Sequence, residues 1–305
     1  MASFDNSGSL TAAQSKKAAP PSTIATMTWP LGCERARRRA ETINGLRLHF
    51  LESGVTGAPG LCFLHGGAAH AHWFDAVTPA FVDRFHVVAL DQRGHGESQW
   101  AVPPAYGTED FAADLRGLMH VLGWARMTLI GHSMGGHNAM TFAAWHPERV
   151  AALVIVDSRP VIPAERLNVM HARGSRTPRL HPSAEAAAAA FRLLPRETLA
   201  DPALLAHMGR AAVAQRNGGW GWRFDPATHG ERKPVDAWPL LPQITAPTLV
   251  VRGGLSPVLP AEMAERLRAR IPHSSLVTIP NAYHHLTLDA PAAFTTALAD
   301  FLAAL

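Results

Sequence analysis

Ser133 lies in a sequence pattern that can turn a hydroxyl group into a nucleophile. It stands between Gly131 and Gly135 and follows the short apolar run 127–130. A serine at the point where a strand pattern changes to a helix pattern can project its hydroxyl out of a sheet on a tight turn. Side chains at positions 131 and 135 would collide with neighbouring backbone, so glycine is expected there. Because a serine hydroxyl is a weak nucleophile at neutral pH, it needs a base and a third group that orients the base.

Two adjacent histidines near the end of the chain can supply the base. His284 and His285 follow the predicted strand 275–279. Loops that follow parallel strands meet at one edge of the sheet, where ligands bind. We expect His284 to take the proton of Ser133, and His285 is the alternative.

A glycine-rich turn can stabilise the negative charge that develops on a carbonyl oxygen during attack. His65-Gly66-Gly67 follows the predicted strand 61–64. We expect the N–H groups of Gly67 and Met134 to form an oxyanion hole, the second of them at the start of a helix. His65 is expected to fix the turn by hydrogen bonds rather than to transfer a proton.

The elements that must position these residues alternate between strands and helices. Such alternation predicts βαβ crossovers and a mostly parallel sheet, and Asn44-Gly45 predicts an antiparallel hairpin at its start. The predicted strands are 38–43, 46–51, 61–64, 86–90, 127–130, 151–156, 248–252 and 275–279. The predicted helices of this part are 73–83, 109–122, 134–145, 261–270 and 292–302.

The alternation stops after the strand 151–156, which predicts an inserted cap. Within the cap, 183–194 and 199–215 have helical patterns and 218–226 forms an aromatic loop. The cap tryptophans are expected to pack internally or to form a pocket wall, which favours an apolar acyl or alcohol part in the substrate; they are Trp220, Trp222 and Trp238. The domain prediction is residues 1–36 as a disordered extension, 37–158 and 243–305 as an α/β core, and 159–242 as a helical cap.

The net charge of +4 comes from the first 40 residues, which contain six basic and two acidic side chains. From residue 41 onward, 22 Lys and Arg balance 22 Asp and Glu. A nucleic-acid-binding surface needs a basic stripe on the folded domain itself, so nucleic acid is not expected as a partner. The expected partner is a small molecule with an ester-like group, and the oligomeric state is open.

Cysteine usage and hydropathy indicate the cellular setting. Cys33 and Cys62 are the only cysteines, which is typical of a protein in a reducing compartment. The first 30 residues lack the apolar segment of a secretory signal, and no apolar run approaches the roughly 20 residues of a membrane span. We therefore expect a soluble, cytoplasmic protein without a membrane partner.

His70 and His72 are the residues that could suggest a metal site. The metal-hydrolase pattern H-x-H-x-D-H would require aspartate at position 74 and histidine at position 75, where Phe74 and Asp75 stand. No H-E-x-x-H motif occurs either. We expect neither a metal nor another cofactor.

Four motifs that occur in the family's order make the chain resemble the α/β-hydrolase family. One of them is the turn around Ser133, which is called the nucleophile elbow in that family. The others are His65-Gly66-Gly67, residues 91–98 (DQRGHGES), and His284 followed by Asp289 and Pro291. The resemblance extends from about residue 37 to 305. It implies an α/β-hydrolase fold with a mostly parallel eight-stranded sheet, flanking helices and a helical cap after strand 6. It also implies hydrolysis of a carboxylic ester or lactone by a serine–histidine–acid triad through an acyl-enzyme.

The triad acid is the point at which the chain departs from the family pattern. In many relatives the acid ends a Gly-x-x-Ser-Asp turn after the cap, and here that turn reads GGLSP, with Pro257 in the acid position. We assign the acid to Asp157, which follows the predicted strand 151–156. Some family members, including certain haloalkane dehalogenases, place their acid after that strand. The alternative is that Asp157 only caps the loop that enters the cap.

Other activities of the family remain as alternatives. Carbon–carbon bond hydrolases of ring-cleavage products share the cap and the serine, but they often have asparagine where His132 stands. Cofactor-free perhydrolases also have Ser-Met after Gly-His. A small-ligand receptor on the same fold is the non-enzyme alternative, and an altered acid position would suit it. Ser133 excludes epoxide hydrolase and dehalogenase chemistry, because those mechanisms need an aspartate nucleophile.

Overall fold

Strands that are apolar on both faces form the centre of the fold. The structure is a computed structural model, and it describes Met1 and residues 36–216 and 218–305. Such strands are expected where helices cover a parallel sheet on both sides. The strands are β1 (Arg37–Ile43), β2 (Leu46–Gly54), β3 (Gly60–Leu64), β4 (His86–Leu90), β5 (Met127–His132), β6 (Val150–Val156), β7 (Val213–Arg216), β8 (Gly219–Trp222), β9 (Thr248–Gly253) and β10 (Ser274–Ile279).

Eight of these strands form one sheet in the order β1-β2-β4-β3-β5-β6-β9-β10. β2 is antiparallel to both β1 and β4, and all other neighbours are parallel. The predicted mostly parallel, eight-stranded sheet with an opening hairpin is therefore confirmed. The carboxyl ends of β3, β5, β6, β9 and β10 lie at one edge, where the loops with the candidate site residues begin.

Helices cover both faces of the sheet and fill the segment between β6 and β9. α2 is buried over nearly its whole length and packs on β5 and β6, since Ala139, Met140 and Phe142 make it apolar on all sides. The helices are α1 (Thr108–Leu122), α2 (Met134–Trp145), α3 (Ala164–Gly174), α4 (Ala184–Ala189), α5 (Pro202–Ala211), α6 (Ala227–Gly230), α7 (Ala261–Arg270), α8 (Leu286–Asp289) and α9 (Pro291–Ala303).

The prediction of one helix over 73–83 is wrong. The chain forms two short 3₁₀ segments instead, Ala71–Phe74 and Thr78–Ala80. Pro79 lies within the predicted helix, and proline there lacks an N–H donor and clashes with the carbonyl of the preceding turn.

The segment predicted to be a helical cap contains a hairpin in addition to helices. The predicted helix 199–215 ends at Ala211, and the predicted loop 218–226 contains β8, which pairs antiparallel with β7. Gly218 and Gly219 have φ values of 88° and 158°, a conformation that glycine permits in tight reversals. α3 was not predicted from the sequence, and none of its side chains is buried.

The predicted disordered extension, residues 1–36, lies almost wholly outside the described residues, since only Met1 and residue 36 of it are described. Cys33 also lies outside them. Cys62, on β3, is a buried free thiol, as expected. No helix in the described ranges has the length and apolar character needed to cross a bilayer.

Candidate active site

Ser133 lies on a sharp turn between β5 and α2. Its φ and ψ are 53° and −115°, an uncommon conformation for a residue other than glycine. A Cβ on Gly131 would lie 2.3 Å from the Gly135 carbonyl oxygen, and a Cβ on Gly135 would lie 2.3 Å from that of Leu64. Both positions therefore require glycine, and the buried strand and helix hold the turn in its strained conformation.

The side chains of Ser133, His284 and Asp157 contact one another in series. His284 Nε2 lies 3.1 Å from Ser133 Oγ, and His284 Nδ1 lies 2.7 Å from Asp157 Oδ2. The alternative base, His285, points elsewhere, since its Nε2 lies 3.0 Å from the carbonyl oxygen of Pro195. The structure thus brings together the three residues that the sequence singled out.

Burial sets the protonation of this group. It lowers the pKa of His284 well below the usual value, and the positive charges of Arg166 and Arg159 act in the same direction. Burial raises the pKa of Asp157 to about 6, although hydrogen bonds from Ser256 and Gly253 oppose the rise. At pH 7 the carboxyl group is therefore mostly ionised and the imidazole is neutral, as a general base must be.

Ser256 is a neighbour of the acid that the sequence analysis missed. Its hydroxyl donates a 2.5 Å hydrogen bond to Asp157 Oδ2, and the N–H of Gly253 donates to Oδ1 at 3.1 Å. Both residues belong to the GGLSP turn, in which Pro257 replaces the usual acid. The turn that has proline in the usual acid position therefore holds the carboxylate of Asp157, which follows β6. The serine of this turn was the sequence feature that could have indicated the contact.

Two further residues hold the loop that carries His284. His132 Nε2 lies 2.9 Å from the carbonyl oxygen of His284. The carboxylate of Asp289 accepts a 2.7 Å hydrogen bond from the N–H of Tyr283 and a 2.9 Å bond from that of Leu199. Asp289 follows His284 in the motif noted in the sequence, but its contact with the segment between β6 and β9 was not predicted.

The turn at residues 65–67 lies against the nucleophile. A Cβ on Gly66 would lie 3.3 Å from the Cβ of Ser133, and a Cβ on Gly67 would lie 4.0 Å from Met134 Sδ. Because Met134 is the first residue of α2, its N–H has no partner within the helix. The side chain of His65 spans the turn, with Nδ1 2.7 Å from the Gly66 carbonyl oxygen and Nε2 accepting from the N–H of Gln92.

Comparison with known proteins identifies the family. The family sequence model described as the alpha/beta hydrolase fold matches residues 59–177. An sn-1-specific diacylglycerol lipase of Mus musculus is 30% identical over 263 residues, which cover 80% of this chain and 81% of the lipase. The chain belongs to the α/β-hydrolase family.

Other relatives of this α/β-hydrolase are hydrolases too. The 2-(acetamidomethylene)succinate hydrolase of Mesorhizobium japonicum is 28% identical over 278 residues, which cover 87% of this chain and 94% of the relative. A crystal structure of E-2-(acetamidomethylene)succinate hydrolase superposes with a TM-score of 0.78 at 27% identity, over 88% of this chain and 99% of that one. These similarities support a hydrolytic enzyme.

A cavity of about 990 Å³ opens over Ser133 in this α/β-hydrolase. Gly67, Met134 and His284 also line it. Of the three tryptophans considered in the sequence analysis, Trp222 lines the cavity, whereas Trp220 packs within the cluster around Ala187 and Trp238 packs against the main core.

Two groups of side chains in the described residues bring at least three potential metal-binding atoms within 4.8 Å of one another. One consists of His132, His284 and His285 and overlaps the site already described. In the other, His72 Nδ1 and His207 Nε2 each lie 2.8 Å from the same carboxylate oxygen of Asp75. Hydrogen bonds account for this second arrangement. The sequence pattern around His70 and His72 could not include His207, which comes from α5.

Proposed function

We propose that this α/β-hydrolase cleaves a carboxylic ester or lactone through an acyl-enzyme intermediate. The observation that supports the proposal is the continuous series of contacts from the Ser133 hydroxyl through His284 to Asp157, at 3.1 and 2.7 Å. This series has the order of nucleophile, base and orienting acid that serine catalysis requires.

The first half-reaction forms the acyl-enzyme. His284 Nε2 takes the proton of Ser133 Oγ as the oxygen attacks the substrate carbonyl, and the N–H groups of Gly67 and Met134 stabilise the resulting oxyanion. The imidazolium of His284 then donates its proton to the leaving alcohol. Asp157 accepts the Nδ1–H of His284, which fixes the tautomer and stabilises the cation.

The second half-reaction releases the acid. His284 takes a proton from a water molecule, and the resulting hydroxide attacks the acyl carbonyl. The tetrahedral intermediate collapses, Ser133 Oγ leaves with the proton held by His284, and the free enzyme is restored. These steps use only groups of the protein and water.

Hydrolysis of p-nitrophenyl acetate and p-nitrophenyl butyrate by the full chain tests the proposal. The wild-type protein should release nitrophenolate, and Ser133→Ala should abolish that release. Asp157→Asn should lower kcat by about 10⁴-fold, because the histidine then adopts the wrong tautomer. Ser275→Ala, an exposed position on β10, is the matched control and should leave the rates unchanged.

Three outcomes of the same assay would contradict the proposal. Negligible rates that do not depend on Ser133 would indicate a receptor on the same fold. A loss below about tenfold in Asp157→Asn would reject Asp157 as the orienting acid. Slow release of nitrophenolate, together with rapid formation of peracetic acid and water from acetic acid and hydrogen peroxide, would favour a perhydrolase.

A further inference from the structure

The cavity over Ser133 is lined by many more positive than negative side chains. Nine arginines line it, and Glu165 is the single acidic residue of its described lining. Within the described part of the chain, Arg223 alone of the nine pairs with a carboxylate, that of Glu97. Six of the others are exposed around the cavity: Arg166, Arg173, Arg176, Arg179, Arg192 and Arg196.

Arg232 differs from these six because it is buried, with 2% of its surface exposed. Its Nη2 donates to Asn138 Oδ1 at 3.1 Å, and its guanidinium carbon lies 5.1 Å from the centre of the Phe111 ring. Its Nη1 has no hydrogen-bond partner among the residues that the structure describes. Burial lowers the pKa of Arg232 to about 10, so the side chain still carries its charge at pH 7.

A buried guanidinium without a carboxylate is costly, since the lost hydration is not replaced by an opposite charge. The guanidinium contacts a neutral amide and an aromatic ring. The imidazoles of His137 and His229 are also close enough to interact with its charge, and none of these groups supplies a negative charge. The side chain therefore has the properties of one half of an ion pair whose other half is absent from the described protein.

The position of Arg232 connects it to the catalytic groups. Its partner Asn138 lies on α2, five residues after Ser133. His229, three residues before Arg232, has its Nε2 3.3 Å from the position of a Cβ on Gly67. Arg232, His229 and Ser133 all line the same cavity, so a group bound at Arg232 would lie in the cavity that holds the carbonyl attacked by Ser133.

We propose that the substrate carries a carboxylate on its acyl part, and that Arg232 binds this carboxylate in the cavity. The substrate class rests on the serine hydrolase function proposed above. The guanidinium would donate Nη1–H to the carboxylate in a charge-assisted hydrogen bond. The exposed arginines around the cavity would attract the anion as it approaches, because a cleft lined by charges of one sign raises the local concentration of oppositely charged ligands.

A terminal carboxylate on the acyl part differs from the apolar acyl part expected from the sequence. Aromatic side chains do line the cavity, among them Phe191 and Phe224. They suit the methylene chain of a substrate that ends in a carboxylate. The arginines were overlooked because they are dispersed between positions 159 and 232, and only folding brings them to one cavity.

The test compares two esters that differ in charge and little else. Monoethyl adipate carries a terminal carboxylate, and the ethyl ester of adipamic acid replaces it with a neutral amide of the same shape. We expect kcat/KM of the full-length protein to be about 10- to 100-fold higher for the half-ester, which is the value of a hydrogen bond to a charged group. Product formation is followed by chromatography at pH 7.

Two variants test whether Arg232 causes the higher kcat/KM for the half-ester than for the neutral ester. Arg232→Gln should remove the 10- to 100-fold preference, because a neutral glutamine amide cannot supply the charge that pairs with the carboxylate. Arg116→Gln is the matched control, because Arg116 is exposed on α1 and does not line the cavity. It should keep the full preference. If Arg232→Gln does not fold, Arg166→Gln and Arg173→Gln should lower the preference in the presence of intact Arg232.

Ligand binding to Ser133→Ala separates this inference from the proposed reaction. Calorimetry should show that monoethyl adipate binds this variant more tightly than the neutral ester does, even if neither ester is cleaved by the wild type. Binding without cleavage would contradict the hydrolase and leave the carboxylate site standing. Serine-dependent cleavage of both esters at equal kcat/KM would overturn the carboxylate site. Preference for an ester with a terminal phosphate over the half-ester would overturn it as well.

Discussion

At the residue scale, the carboxylate of Asp157, the proposed orienting acid, is held by groups from a different loop. Asp157 follows β6, whereas the groups that bond its carboxylate, Ser256 and Gly253, come from the end of β9 and the turn after it. Burial raises the pKa of Asp157, and the Ser256 hydroxyl lowers it by donating to the ionised form. Ser256 thus helps to keep the carboxylate charged near neutral pH.

Ser256→Ala should move the acidic limb of the pH profile to higher pH. Loss of the hydrogen bond removes stabilisation from the charged carboxylate, so the pKa of Asp157 should rise above about 6. A protonated Asp157 cannot accept the Nδ1–H of His284 as an anion, and kcat/KM should therefore fall at pH 6 more than at pH 8. The measurement is kcat/KM for p-nitrophenyl butyrate between pH 5 and 9. An acidic limb that stays at the wild-type pH, as it should in Ser275→Ala, would refute this role of Ser256.

At the element scale, the nucleophile depends on how closely α2 approaches the ends of β3 and β5. The carbonyl oxygens of Gly135 and Leu64 occupy the space that side chains on Gly131 and Gly135 would need. Since these contacts are with backbone atoms of buried elements, neither neighbour can move away as a flexible side chain could.

Gly131→Ala should destabilise the fold and displace Ser133. Overpacking of this kind costs about 3 kcal/mol, and a shift of the turn would break the 3.1 Å contact with His284. Urea denaturation and the p-nitrophenyl butyrate assay measure the two effects. Gly107→Ala is the matched control, because a Cβ there would meet only the ends of acidic side chains at 3.2 Å or more. Equal stability of the two variants would contradict the argument.

At the scale of the whole molecule, a hydrogen bond between His207 and Asp75 joins the segment between β6 and β9 to the first 3₁₀ segment after β3. Asp75 accepts from His72, in the first 3₁₀ segment, and from His207 on α5. Burial opposes ionisation of both Asp75 and His72, but the hydrogen bonds of Asp75 with His207 and His72 outweigh it for Asp75, and the contact with Asp75 outweighs it for His72. The pKa of Asp75 is lowered and that of His72 is raised.

Asp75→Asn should destabilise the protein most in mildly acidic solution. The contribution of His72 is complete below about pH 6.5 and is lost as the pH rises through its raised folded pKa. The contribution of Asp75 is present above about pH 3.9 and is lost as the pH falls through its lowered folded pKa. We expect a loss of about 2 kcal/mol at pH 5.5 and a smaller loss at pH 9.

Thermal unfolding at pH 5.5 and pH 9 measures this difference. Asp83→Asn is the matched control, because Asp83 is exposed and should leave Tm unchanged at both values. A Tm decrease in Asp75→Asn that is the same at pH 5.5 and pH 9 would show that His72 is not charged in the folded protein.

The sequence by itself determined the fold, and it singled out Ser133, His284 and Asp157, whose side chains the structure places in contact. Short apolar runs that alternate with helical patterns predicted the sheet, because the apolar character of each strand is a local property of the sequence. Gly131, Ser133 and Gly135 lie within five consecutive residues. Their turn could therefore be predicted without knowledge of any contact with a distant part of the chain. Two secondary-structure predictions were wrong. The helix predicted over 73–83 contains Pro79 and does not form. The β7–β8 hairpin was missed because its strands have only four residues each, too few for an alternating pattern to be distinguished from a helical one.

Only the tertiary structure decided which groups from distant parts of the chain act together. The hydrogen bond from Ser256 to Asp157 joins residues 99 positions apart, and the arginines that line the cavity come from several cap segments. Side-chain contacts across loops leave no periodic pattern, because they depend on where the chain returns after each crossover. The charge of the cavity was for this reason not predicted from the sequence, and the serine of the GGLSP turn did not by itself show that it would contact Asp157.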